Sequence, residues 1–170
     1  CTIMAGGKPV IIELKAENEF RLTPEELLEH ITDKTKLLVL PFPNNPTGAL
    51  YPKEVLQQIV DLAREHQLMI FSDEIYDRLV MDGLEHISIA SLAPDLFCVT
   101  FSGLSKSHMI AGWRVGWMVA PLEVAKAATK LQGHMTSNVN NISQRAAIAA
   151  VSGSLDAVYE MREAFDRRRQ

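Results

Sequence analysis

Phe97-Cys-Val-Thr-Phe101 runs directly into Ser102-Gly-Leu-Ser105-Lys106-Ser-His-Met-Ile-Ala-Gly112-Trp-Arg114-Val-Gly116. The first five residues form an apolar run of the kind expected for a buried strand. The loop that follows places a lysine between two serines. An arginine comes eight positions later, flanked by Gly112 and Gly116. Small residues let something bulky approach the backbone. Hydroxyls and an arginine in one loop suit a phosphate, because the planar guanidinium fork matches its oxygens. A lysine in a partly desolvated site loses its proton more readily, and a neutral amine attacks a carbonyl. A strand ending in such a loop belongs to a sheet whose ligands lie beyond the carboxyl ends of its strands.

The neighbouring sequence extends that pattern. Lys36-Leu-Leu-Val-Leu40 is predicted as a strand covered on both faces, followed by a turn-rich loop from Pro41 to Gly48. Leu68-Met-Ile-Phe71 is a second strand, with Ser72-Asp73-Glu74 at its end. Between them, Pro52 opens a helix to about Gln67 that carries Val55, Leu56, Ile59, Val60 and Ala63 on one face. Upstream, Pro9 to Leu14 reads as a short strand. Thr23-Pro24-Glu25-Glu26 reads as a helix start with a capping box, and Leu27, Leu28 and Ile31 are expected inward. Downstream, Val115 to Ala120 is a further strand. Helices are expected from Pro121 to about Leu131, from Ile142 to Val151, and after Ser154 as a cap. Alternating strands and helices predict a three-layer α/β/α architecture on a mainly parallel sheet. Asn45, Asp73 and Lys106 would then converge on one edge of it.

The composition is ordinary for a globular chain: 170 residues, 47% apolar, 22% charged, net charge −4. Nothing here suggests a nucleic-acid or membrane partner. Two cysteines give no disulfide framework. Cys98 is expected as a buried thiol, and a reducing, cytoplasmic setting is the expectation. The five histidines are scattered, and no metal site is expected.

A lysine with phosphate holders is what pyridoxal 5'-phosphate requires, since it has an aldehyde and a phosphate. Its ring nitrogen also needs an acid, and its phenolic oxygen needs donors. Asp73 suits the first need; Asn45 and Tyr76 suit the second. Asn45-Pro46-Thr47-Gly48, Ser72-Asp73-Glu74-Ile75-Tyr76 and Ser102 to Gly116 together resemble the signatures of class I/II, fold-type I, pyridoxal-phosphate aminotransferases. Order and spacing agree over essentially the whole chain, and the nearest resemblance is to bacterial aspartate and aromatic enzymes.

The resemblance implies that Lys106 forms the Schiff base and shuttles the proton. It implies that Asp73 pairs with the ring nitrogen, and that Tyr76 and Asn45 bond the phenolic oxygen. Arg114 with Ser105 and Ser102 would hold the phosphate. It further implies amino-acid and 2-oxo-acid substrates and a homodimer, with Thr136-Ser137-Asn138 reaching the neighbour. Residues 1–170 would be part of the large domain, with an N-terminal arm and a C-terminal small domain lying outside. Met109 departs from the family pattern, which has a smaller side chain there. The alternatives are a carbon-sulfur lyase of the same fold, whose members tend to carry histidine at the Tyr76 position, or a piece without activity of its own.

Overall fold

The capping box at Thr23 forms as its sequence requires. In a computed structural model describing residues 1–170, the Thr23 hydroxyl accepts from the Glu26 N–H and the Glu26 carboxylate accepts from the Thr23 N–H, both at 3.2 Å. Helix α1 follows, Pro24–His30. Only Leu27 is buried in it. Ile31 is half-buried, and Leu28, expected inward, is 49% exposed. A seven-residue helix has room for one narrow stripe.

Strand β1, Leu37–Pro41, leads through the Pro41–Gly48 loop to helix α2, Lys53–Glu65. Leu56, Ile59, Val60 and Ala63 are completely buried, at the spacing that puts them on one helix face. The helix closes with Gln67 left-handed at φ 54°. Its N–H bonds to the Arg64 carbonyl, and the Leu68 N–H bonds to the Ala63 carbonyl. This pair of bonds is the Schellman pattern, and it turns the chain directly into β2, Met69–Asp73. An irregular stretch with a 3₁₀ turn at Ile89–Ser91 connects to β3, Cys98–Gly103. Strand β4, Gly116–Val119, and helices α3 (Leu122–Met135), α4 (Asn141–Ser152) and α5 (Asp156–Arg169) complete the order.

The sheet order is β1-β2-β3-β4, parallel across the first three strands and antiparallel between β3 and β4. Leu38, Leu40 and Ile70 point to the covered face, where they pack with Leu22, Leu27, Phe42, Tyr51, Ile89 and the buried face of α2. The Tyr51 hydroxyl accepts from the Leu22 N–H at 2.9 Å, and burial pushes its phenol above the usual value.

Several local expectations are corrected. Residues 9–14 are not a strand. They form no ladder with a neighbour, and Val10 and Ile11 stay exposed while Ile12 and Leu14 lean on the core. Strand β1 is covered on one face only; Val39 is 56% exposed. Cys98 is half-buried rather than buried, though burial still pushes its thiol up. Ser154 stands one residue before the cap position, and its hydroxyl accepts from the Asp156 N–H. No helix is long and apolar enough to cross a membrane.

Candidate active site at the carboxyl ends of three strands

Register builds the site. Pro41, Asp73 and Phe101 are neighbours across β1, β2 and β3, at or near the carboxyl end of each strand. The loops that follow therefore leave from one edge. Asn45 comes from the first loop and Tyr76 from the second, and the Asn45 Nδ2 donates to the Tyr76 hydroxyl at 3.2 Å. Lys106 comes from the third, with its Nζ 5.4 Å from the centre of the Tyr76 ring. Three residues separated by 31 and 30 positions thus meet around one phenol.

Asp73 alternates to the face opposite the buried Ser72 and is exposed. One of its oxygens accepts from the Ile75 N–H at 3.2 Å, which fixes the turn toward Tyr76; the other has no partner. Arg114 sits in the left-handed region at φ 52°, closing a 3₁₀ turn at Ala111–Trp113, and its Nη1 donates to the Ala111 carbonyl at 2.9 Å. No carboxylate pairs with Arg114 or Lys106; the ion pairs of the chain lie elsewhere. Ser105 is half-buried and its hydroxyl makes no bond within the chain. Ser102 is turned the other way, its hydroxyl donating to the Glu74 carbonyl at 3.4 Å. A cleft of about 640 Å³ lies between Trp113–Arg114 and the α3–α4 turn, with Asn138 on its wall.

The glycines of the loop have a different reason from the one their sequence suggests. Gly103 and Gly116 face each other across β3 and β4. A Cβ on Gly116 would lie 3.0 Å from the Ser102 carbonyl oxygen, and one on Gly103 would lie 3.0 Å from the Gly116 Cα. Their smallness lets the two strands approach, whereas Gly112 faces open space.

Sequence reasoning missed what lies behind Asp73. Glu74 is 4% exposed, and its carboxylate accepts from Ser72 Oγ (2.8 Å), Ser88 Oγ (3.0 Å) and His86 Nε2 (2.9 Å). Burial pushes its acid up, but the bonds from His86, Ser72 and Ser88 outweigh it and hold the carboxyl below its usual value. Nearby Asp77 is pushed up by burial. The available signal was a second carboxylate beside Asp73 at a strand end; its partners lie 12 and 14 positions on, across an irregular stretch.

The family model for "Aminotransferase class I and II" matches residues 2–170. The chain belongs to that family. Aspartate aminotransferase of Geobacillus stearothermophilus is 44% identical over 167 residues, which is 97% of this chain and 42% of that protein. Aromatic-amino-acid aminotransferase 2 of Thermococcus litoralis is 43% identical over 98% of this chain and 44% of its own length. Among solved structures, the aromatic aminotransferase from Pyrococcus horikoshii superposes with a TM-score of 0.95 at 40% identity, covering 99% of this chain and 46% of that one. The chain therefore spans less than half the length of these relatives. The three-layer α/β fold class expected from the alternating pattern is the one these aminotransferase structures have.

Aminotransferases of this family depend on pyridoxal phosphate. The donor set fits that group: an amine and a guanidinium without carboxylate partners, a carboxylate with a free oxygen, and an amide–phenol pair, all at one sheet edge.

Proposed function

We propose that the protein carrying this chain is a pyridoxal-phosphate aminotransferase that moves an amino group between an L-amino acid and a 2-oxo acid. The observation that supports it most is the meeting of Lys106, Tyr76 and Asn45 beside the Asp73 strand end. When bound, the cofactor supplies an electron-withdrawing ring that stabilises negative charge on the substrate carbon. Lys106 would hold the cofactor's aldehyde end through its amine, and as a free amine it would serve as the base that moves the proton. Asp73 keeps the ring nitrogen protonated, since a neighbouring negative charge favours the charged form. Tyr76 and Asn45 donate to the phenolic oxygen. Arg114 and Ser105 hold the phosphate; Ser102 would join them by turning from the Glu74 carbonyl. Tyr76 favours this reading over the lyase alternative. The full-length protein, supplied with cofactor, an L-amino acid and a 2-oxo acid, should yield the exchanged pair. Pyruvate and ammonia formed from a cysteine conjugate, with no exchange, would favour the lyase.

Arg114→Ala should weaken cofactor binding by about 1.5–3 kcal/mol, the scale of a hydrogen bond to a charged group. The guanidinium's one hydrogen bond within the chain is to its own turn, so the loss should come without a matching loss of fold stability. A cofactor titration showing unchanged affinity would contradict the phosphate role.

The same reading places residues 1–170 in the large domain of a cytoplasmic homodimer. Helix α3 buries none of its residues, and Leu122, Leu131 and Met135 are each more than 60% exposed. Ser137, left-handed at φ 64°, and Asn138 form the turn beside Arg114 that would meet the neighbour. Sedimentation of the full-length protein should give a dimer; an active monomer at micromolar concentration would remove the interface role of Ser137.

A further inference from the structure

Glu74 and Asp73 are consecutive, so their side chains leave opposite faces of the sheet. Asp73 faces the site, while Glu74 is sunk in the covered side with three donors on its carboxylate. Burying a charge costs several kcal/mol, on the order of what its pairing returns, and an apolar side chain of similar volume is often no less stable. Stability alone is thus a weak reason for this arrangement. Its placement supplies a stronger one.

The peptides around Asp73 and Glu74 are held from both neighbouring strands. The Phe42 N–H donates to the Asp73 carbonyl at 3.1 Å, and the Glu74 N–H donates to the Phe101 carbonyl at 2.8 Å. The Glu74 carbonyl accepts from the Asp77 N–H, which closes the turn carrying Tyr76. His86 joins these parts. Its Nε2 donates to Glu74, and its ring lies on Phe42, 5.1 Å between centroids, at the root of the loop bearing Asn45. The His86 side chain is 8% exposed and its Nδ1 has no partner, so the carboxylate is its only polar anchor. Because an ionised carboxylate only accepts, the Nε2 carries the proton.

We propose that Glu74, His86 and Ser88 form a positioning clamp that sets the Asp73 carboxylate in register with the Asn45–Tyr76 pair. Glu74 and His86 touch neither cofactor nor substrate; they act through Asp73 and the two loops. The inference rests on the reading under Proposed function.

The test uses the full-length protein loaded with pyridoxal phosphate labelled with ¹⁵N in the ring, whose NMR shift reports protonation of that nitrogen directly. His86→Phe keeps a ring against Phe42 and removes the donor. It should move the ¹⁵N signal toward the unprotonated position and lower kcat about tenfold with KM little changed, the split expected when ground-state binding is spared. His86→Gln, which restores a donor, should bring the signal back toward wild type. Ser88→Ala removes one of the three donors with less disturbance; it should give a smaller shift of the same sign, and it carries the test if His86→Phe does not fold. A lowered melting temperature with an unmoved ¹⁵N signal in the variants would show a merely structural role and overturn the clamp. An unprotonated ring nitrogen in the wild type would overturn both the clamp and the Asp73 role. A wild-type protein that bound no cofactor would overturn the functional reading, and the clamp with it.

Discussion

Lys106→Ala in the full-length protein is expected to abolish transamination and the visible absorbance of the lysine-bound cofactor. Two losses combine. The amine that bonds the aldehyde is gone, and so is the base, worth roughly 10²–10⁴-fold by itself. The side chain is a poor candidate for a structural role. It is half-buried, joins no ion pair, and its contact with the Tyr76 ring at 5.4 Å is of a kind worth about 0.5–1 kcal/mol. The variant should therefore fold and still bind cofactor through Arg114 and Ser105, without the covalent band. Turnover near the wild-type rate would sink the assignment.

Asp73 carries the second largest expected effect, and two variants separate its jobs. Asp73→Asn keeps an acceptor for the Ile75 N–H and so keeps the turn toward Tyr76. It removes the charge. An opposite charge beside a titrating nitrogen shifts its pKa by about 1–3 units, and each unit is a factor of ten in the protonated fraction once the pH exceeds the pKa. The proton-abstraction step should slow by roughly 10- to 1000-fold, and N-methylated cofactor, whose ring charge is permanent, should recover part of it. Asp73→Ala should lose the turn contact as well, and its melting temperature should fall below that of Asp73→Asn. Unchanged single-turnover rates in both variants would rule out the electronic role.

What was legible in the sequence was what local rules decide. The Thr23–Glu26 box, the one-faced stripe of α2 and the three apolar strand runs each carry their signal within a few residues. Once the strands are parallel neighbours, their following loops must share an edge, which is why the sequence predicts that Asn45, Asp73 and Lys106 converge there. The misses were non-local. Residues 9–14 have strand composition, but a strand exists only with a ladder partner, and none is there. Val39 reads as buried from its run, yet periodicity says nothing about what lies over a face. Gly116 reads from the sequence as room for a ligand, while its near neighbour is the Ser102 carbonyl. The Glu74–His86 pair spans an irregular segment with no period to follow.

The claim on which the rest depends is that Lys106 is the residue that bonds the cofactor. Borohydride reduction of the cofactor-loaded full-length protein would trap that bond as a stable secondary amine, and peptide mapping by mass spectrometry would locate it. The cofactor-derived mass should sit on the peptide containing Ser105-Lys106-Ser107, and on no other lysine. A mass on a different lysine, or none on a protein that binds cofactor and transaminates, would contradict the account.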